Sequence, residues 1–588
     1  MILEALYRHY EDLLMTGKVA KRGWSLEKVS AALCIDEEGR LVNILPLQEK
    51  VAGTKKSVTR MLVPQHEKHS VKILPMYLCD PPSYLLGVDN KGDSERSRRC
   101  FIASSKLHQK NLEQCTSSTA AAIRHFFKNW NPDKANENDV FRAYQDEIMS
   151  ASNLVFWVNG TFAHKDEEIV TAWNSTCCHA EDNAPEGICL VTGKRAPIAR
   201  LHPQFQIAGA QSSGAPLVSF NKDKISFSSY GKDKEQGLNA HVSENAAFAY
   251  GTALKYLLND EHHKKRIGDM TVVYWAEQQN EVSQDIFSGM GFDDGNMMEQ
   301  QTLNAILQAV KEGKPIVYSG QEIPYNNDFF ILGLSPNAGR ISVRFFYRNS
   351  FGEILSCIQQ HHERMEIVRP GGKEWSPISL RNMLLATVSP NVKDKTASPP
   401  MAGTVFRSIL TGRHYPVSLY QNVMRRIKAE QDETEGKDKH YKISDLRVAI
   451  IKAYLMKNKG RQITVALNEN CEDTAYVLGR IFSVWEQIQK AVNPELNSTI
   501  KDRYFNAACA TPTAVFSKLQ ILANHHLRNL RTQKPGLAIT FDKKLTEIMS
   551  KLHGGEGLPK TLSLDEQGMF ILGYYHQTQK RFEKKEDK

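Results

Sequence analysis

The stretch Phe329-Phe330-Ile331-Leu332-Gly333-Leu334, Ser335-Pro336-Asn337-Ala338-Gly339, Arg340-Ile341-Ser342-Val343-Arg344-Phe345-Phe346-Tyr347 reads as two apolar strands around a five-residue turn. The periodicity from Phe351 to Arg364 predicts a helix behind them. Strand side chains alternate between faces, so Arg340, Ser342 and Arg344 are expected on one face and Ile341, Val343 and Phe345 on the other. The expectation is a basic face on a buried sheet, an arrangement compatible with an RNA-recognition type of α/β fold. Asn337, Arg340 and Arg344 are therefore candidate contacts for RNA or for a neighbouring subunit.

Working toward the N-terminus, Thr271–Trp275 predicts a buried strand and Met298–Val310 a helix. Ser243 is placed to cap a helix over Glu244–Leu258. Residues 187–230, rich in Gly, Ser and Pro between short apolar runs, predict loops on a β scaffold. A helix is expected over Ser118–Lys128, and Pro81-Pro82 makes Asp80–Ser83 a turn. Val29–Ile35 and Leu41–Leu47 flank Asp36-Glu37-Glu38-Gly39-Arg40 as a β-hairpin. Leu3, Leu6, Tyr7, Tyr10, Leu13 and Leu14 give residues 2–17 a helical period.

Working toward the C-terminus, helical patterns dominate from Ser379, with Thr474–Val492 and Thr513–Leu530 as bundle helices. Asp394–Pro400 and Asp432–Lys439 are breaks, and the charged end His576–Lys588 is expected to fray. The fold class is α+β: an N-terminal mixed α/β region with hairpins, followed by a C-terminal helical bundle. At 588 residues one hydrophobic core is insufficient. Three parts are expected: 1–115 basic and α/β, 116–375 a mixed α/β body, and 376–588 the bundle.

A content of 41% hydrophobic and 24% charged residues excludes disorder as the general state. The net charge of +9 is mild, but Lys50–Lys110 carries 12 Lys/Arg against 5 Asp/Glu. A local surplus of this kind suits a polyanion. The first residues lack a charged-then-apolar signal pattern, and no apolar run is long enough for a bilayer. A cytoplasmic protein with reduced cysteines is expected.

Enzyme chemistries leave sharper marks, and these are missing. Cys177-Cys178-His179 with Cys189 and His202 suggests zinc, but adjacent cysteines fit one tetrahedral ion poorly and no C-x-x-C pair exists. Gly187 to Gly193-Lys194-Arg195 misses the P-loop spacing and lacks its hydroxyl. No HExxH helix or G-x-S-x-G elbow occurs. The adjacent pairs His262-His263, His361-His362 and His525-His526 point about 100° apart on a helix and read as surface or half-buried residues. No catalytic residue, metal or cofactor is assigned. The competing reading is a metal-independent RNA-processing endonuclease using histidines and lysines as acid and base.

Binding marks are more numerous. Lys55, Lys56, Arg60, Lys68 and Lys72 have the spread to follow a phosphate backbone, and Arg96, Arg98 and Arg99 extend the series. Lys194, Arg200 and the loop Gly209-Ala210-Gln211-Ser212-Ser213-Gly214 combine cations with glycines that let a backbone approach closely. Gln211, Ser212 and Ser213 can donate to phosphates or to minor-groove acceptors.

Several longer strings resemble a known family, the large subunit of the type I-C CRISPR effector complex (Cascade). They are Leu62-Val63-Pro64-Gln65, Ser83-Tyr84-Leu85-Leu86-Gly87, Cys189–Lys194 with Ile198–Pro203, Gly209–Ala215 with Leu217–Asn221, and Ser229-Tyr230-Gly231-Lys232. Ala246–Tyr250, Ile331–Ala338 with Arg340–Phe345, and Ala475–Arg480 follow in family order. The resemblance implies a non-catalytic subunit of an RNA-guided complex, in which base pairing reads sequence and protein reads a short adjacent duplex motif, the PAM. It further implies help in opening DNA, R-loop stabilisation and recruitment of a helicase–nuclease. The implied partners are guide RNA, target duplex, and the backbone, guide-end-capping and small subunits. The later part of the bundle, about 456–588, resembles those small subunits, and an internal start at Met456 or Val465 would release it. Around Tyr77–Ser83 the chain departs from the family, with Met76, Pro81 and Pro82 where asparagines are usual.

Overall fold

The computed structural model describes residues 1–49, 57–65, 73–89, 94–178, 185–220, 236–277, 281–292, 298–392, 397–433, 440–496, 498–552 and 557–582. The chain divides into two units, Met1–Phe205 with Pro216–Tyr256, and Gln206–Ala215 with Leu257–Lys588.

In the first unit α1 (Ile2–Met15) buries Leu6, Tyr10 and Leu13, the face its period predicts. Two sheets follow. In the smaller, β1 (Trp24–Lys28) pairs antiparallel with β4 (Arg60–Pro64). The larger is built on the hairpin of β2 (Ala31–Ile35) and β3 (Leu41–Pro46), with β5 (Cys79–Asp80) and β6 (Leu154–Val158) in the order β3-β2-β6-β5. The Asp36 carboxylate closes the hairpin turn by accepting from the Arg40 amide at 2.7 Å. Gly39 takes φ 76°, and a Cβ there would lie 2.3 Å from the Phe126 amide nitrogen, so the turn docks on helix backbone only because it has no side chain. The helices α2 (Ser94–Asn111) and α3 (Ser118–Asn129) cover this sheet, and Leu33, Phe126, Phe127 and Phe156 share its core.

The proline pair sits at a strand-to-helix junction. Asp80 ends β5, buried and accepting from the Met76 amide at 2.6 Å, and Pro82 opens a short helix over Pro82–Leu85. A short hairpin of β7 (Glu186–Ile188) and β8 (Arg195–Pro197) follows. The unit's last helix, α4 (Glu244–Asn259), is capped by Ser243, whose hydroxyl accepts from the Ala246 amide at 3.2 Å.

The second unit holds a four-stranded antiparallel sheet: β9 (Lys264–Ile267), β10 (Met270–Ala276), β11 (Asp328–Asn337) and β12 (Arg340–Ser350), in that order. The β11–β12 hairpin is tighter than its sequence suggests. Asn337 pairs with Arg340, so only Ala338 and Gly339 turn, and Ala338 adopts φ 48°. The simple alternation also fails. Gly333 lies opposite Phe345 but Leu334 lies opposite Val343, so Arg344 is the extra residue of a β-bulge. Opposed residues share a face, so Arg340 and Ser342 share the face of Phe345, while Ile341 and Val343 share the other; Val343 is 37% exposed.

The helices behind the sheet are α5 (Phe351–Met365), α6 (Pro399–Thr411), α7 (Val417–Ala429) and α8 (Asp445–Lys459), then the bundle of α9 (Thr474–Val492), α10 (Ile500–Ala510), α11 (Pro512–Gln533), α12 (Pro535–Met549) and α13 (Leu564–Gln579). One continuous core runs from Phe329 and Ile331 of the sheet to Phe570 and Leu572 of α13. Three expectations are corrected here. Pro399 and Pro400 form the first turn of α6 and are not a linker, since proline costs nothing where the amide is unpaired anyway. His361 and His362 are buried on α5, where the His361 Nδ1 meets the Tyr415 hydroxyl at 2.7 Å. The chain end stays helical through Gln579 with His576 buried against the Tyr476 hydroxyl at 2.9 Å. Residues 434–439 and 583–588 lie outside the described residues.

Within the bundle α9 and α13 cross almost in backbone contact. A Cβ on Gly479 would lie 2.0 Å from the Phe570 carbonyl oxygen, and one on Gly573 would lie 2.0 Å from that of Tyr476. Charges are also buried here. Arg447 donates to Glu430 at 2.6 Å, to the Lys442 carbonyl at 3.1 Å and to the Ala386 carbonyl at 3.2 Å, which satisfies most of its guanidinium. Lys501 pairs with Asp432.

Candidate nucleic-acid interface

Two surfaces of the first unit carry described candidate cations. On the β1–β4 pair Lys28 stands directly opposite Arg60, both exposed. Like charges opposed across a ladder repel, so the pair is a feature the sheet tolerates and does not need. Arg99, Ile102, Lys106 and Lys110 form an exposed stripe along α2 at helical spacing. Arg98 leaves that stripe, its Nε donating to Asp133 at 2.7 Å, and Arg96 is half-buried. Lys28, Lys106 and Lys110 were not among the expected contacts. Lys106 and Lys110 fall within the cationic Lys50–Lys110 stretch, but their grouping lies in helical phase, and that of Lys28 in strand pairing. Lys55, Lys56, Lys68 and Lys72 lie outside the described residues, as do Ser229–Lys232.

The bend at Tyr77-Leu78, which precedes β5 and the family-like Ser83–Gly87 string, is fixed from within. The Leu78 amide, at φ 60°, donates to the His108 Nε2 at 2.9 Å, while the His108 Nδ1 meets the Ser104 carbonyl at 2.8 Å. One ring nitrogen must accept and the other donate, so the imidazole is neutral. Burial holds its pKa down at about 4.

Lys194 is exposed in the β7–β8 turn, and Arg200 is exposed just beyond β8. Gly187 lies within β7 and Gly193 turns the chain at φ 69°, so this glycine pair shapes a hairpin and not a phosphate loop. Cys189 is buried here. Burial alone raises its thiol, but hydrogen bonds from Ser243 and Thr192 outweigh that and bring its pKa to about 7. His202 meets the Tyr250 hydroxyl at 2.7 Å, and burial lowers its pKa to about 4. Among the described residues no cluster of His, Cys, Asp or Glu is arranged to hold a metal; the side chains of Cys177, Cys178 and His179 lie outside them.

In the second unit the structure unites two groups of candidates that are far apart in sequence. Gln211, Ser212 and Ser213 are exposed on a loop shaped by Gly209 (φ 84°) and Gly214 (φ 87°). The loop is closed by the Gly214 amide on the Gln211 carbonyl at 2.9 Å and by the Gln206 side-chain amide on the Ser212 carbonyl at 3.2 Å. A Cβ on Gly209 would lie 3.1 Å from Pro336 Cγ, and one on Gly339 would lie 3.7 Å from Gln211 Nε2. The loop therefore rests against the β11–β12 turn, beside exposed Asn337 and half-exposed Arg340. The β9–β10 turn, at Gly268-Asp269, lies at the same end of the sheet, since Thr271 pairs with Leu334. Arg344 reaches to 3.7 Å from Asp269, and the edge strand β9 adds exposed Arg266, whereas Lys265 is buried and Lys264 pairs with Glu261 at 2.9 Å. Lysines on an edge strand also discourage edge-to-edge pairing.

No described helix is long and apolar enough to cross a membrane. No curated protein matches the chain. A family described as CRISPR-associated protein (Cas_Csd1) matches residues 6–582, nearly the whole sequence. The chain thus belongs to the Csd1 family of CRISPR-associated proteins, a family of Cascade-type subunits.

Proposed function

We propose that this chain is the non-catalytic large subunit of a type I-C surveillance complex, which recognises the PAM duplex, helps to open it, stabilises the R-loop and recruits the helicase–nuclease. The observation that carries the duplex contact is the exposed opposition of Lys28 and Arg60, with the α2 stripe in the same unit. Such cations contribute affinity by releasing counterions from phosphate, and guide pairing supplies sequence. Lys55, Lys56, Lys68 and Lys72, which lie outside the described residues, are proposed as duplex contacts on their sequence alone. Guide RNA, the backbone and guide-end-capping subunits and the small subunits are the proposed partners, the site of action is the cytoplasm, and the later part of the bundle, from about 456 to 588, is the small-subunit-like part.

The test is binding of the full chain, alone and within the assembled complex, to labelled duplexes with and without the PAM over a series of salt concentrations. Affinity should fall steeply with salt and further when the PAM is changed. Arg60→Glu should reduce the slope of log affinity against log salt by about one for each phosphate that is no longer neutralised. Equal binding to all duplexes would remove the PAM reading, and an unchanged slope would remove this surface from it. Incubation with precursor guide RNA checks the endonuclease alternative, whose acid–base pair cannot be His361-His362 because both are buried.

A further inference from the structure

A cleft of about 260 Å³ opens beside the β12 bulge. Met270 and Phe345, both nearly buried, form its floor from the sheet, and Pro399, Pro400 and Gly403 of α6 form the facing wall. The floor is tight against that wall, since a Cβ on Gly403 would meet Met270 Cε at 2.8 Å. Two guanidinium groups stand at the rim. Arg344 is the inserted residue of the bulge, its side chain 51% exposed and 3.7 Å from Asp269. Arg407 lies one helical turn beyond Gly403 on the same face of α6 and is exposed.

The arrangement selects a ligand by three features. Its volume lies below the roughly 300–1,000 Å³ of pockets that engulf drug-sized molecules, so it suits one flat ring system. The inner surface is apolar and the rim cationic, so the ligand should join an apolar ring to an anion. Asp269 offsets one of the two arginines, which matches a singly charged phosphodiester and disfavours a free triphosphate. A cation displaced outward by a bulge also suits a strand passing across the sheet.

We propose that this cleft takes one splayed nucleotide of a single-stranded nucleic acid, its base against Met270, Phe345 and Pro400 and its phosphate on Arg344 and Arg407. This rests on the reading of the chain as a nucleic-acid-binding subunit, but not on PAM recognition. Two variants test it in the full chain: Thr404→Trp, which fills the mouth from the exposed side of α6, and Arg407→Glu. Binding of fluorescein-labelled oligo(dT) and oligo(U) is measured by anisotropy, with unchanged circular dichroism melts confirming folding and a PAM duplex measured in parallel. Each variant should weaken single-strand binding at least tenfold and leave duplex binding as it was. Loss with oligo(dT) alone assigns the site to a DNA strand, and with oligo(U) alone to RNA; either supports the proposal. Wild-type affinity in both variants overturns it. So does loss in Arg407→Glu without loss in Thr404→Trp, which marks a charged surface with no base pocket. A wild-type chain that ignores single strands overturns it too. Failure of PAM discrimination by the duplex, with the single-strand results intact, counts against the proposed function alone.

Discussion

Lys28 and Arg60 face each other across an antiparallel ladder, two exposed cations where an opposite-charge pair would serve the sheet better. Lys28→Glu converts repulsion into a cross-strand ion pair and should stabilise the unit by about 0.2–1 kcal/mol. The same change should lower duplex affinity and flatten its salt dependence. Urea melts and salt-series binding on one preparation read the two effects, and the expected result is that they move in opposite directions. A variant that loses stability along with affinity would mean that the pair is structural.

His108 makes the first unit acid-sensitive. Its pKa is held at about 4 by burial, against the ordinary 6.5 in the unfolded chain. A base with a depressed folded value is charged more readily when unfolded. Its stabilising contribution is complete above pH 6.5 and is lost as pH falls toward 4, by up to roughly 3 kcal/mol. His108→Gln keeps an acceptor for the Leu78 amide and does not titrate. Its melting temperature should therefore fall less than that of the wild type between pH 7.5 and pH 5, as read by differential scanning calorimetry.

The α9–α13 crossing admits no side chain at its centre. Gly479→Ala places a methyl on the Phe570 carbonyl and should cost more than about 3 kcal/mol, at the upper end of overpacking penalties. Gly536, exposed on α12 with open space around it, is the control, and Gly536→Ala should stabilise by roughly 0.5–1 kcal/mol through helix propensity. Denaturant midpoints of the two variants should shift to opposite sides of the wild type.

The buried pair Arg447–Glu430 and the exposed pair Arg98–Asp133 should differ in the same assay. Glu430→Ala leaves a guanidinium with little solvent and should cost about 3–5 kcal/mol. Asp133→Ala breaks a pair whose side chains are each more than half exposed and should cost no more than about 1 kcal/mol.

Periodic signals carried much of the architecture. The Asp36–Arg40 hairpin, the Ser243 cap and the helix over Thr474–Val492 stand where apolar spacing and cap chemistry put them. What failed depended on partners distant in sequence. His361 reads as a surface residue until Tyr415, 54 positions away, closes over its ring. Lys28 gains meaning only once β1 has found β4, and Gln211 only once its loop rests on Pro336. The buried end of α13 was lost for another reason. The charge of Lys580 to Lys588 overshadowed a helical pattern that runs to Gln579. Of the candidate interface, residue types were legible and groupings were not.

The bulge at Arg344 acts as a phase shift in the strand's two-residue rhythm. It lets Phe345 plug the core behind Gly333 while Arg340 and Ser342, nearer the turn, keep company with Asn337 and Ser335. A ladder that drew Arg344 into regular pairing would rotate every residue between it and the turn to the opposite side of the sheet. Ile341 and Val343 would then exchange places with Arg340 and Ser342 without any change in their identity. One surplus residue, as much as composition, decides which chemistry the hairpin shows to a passing strand.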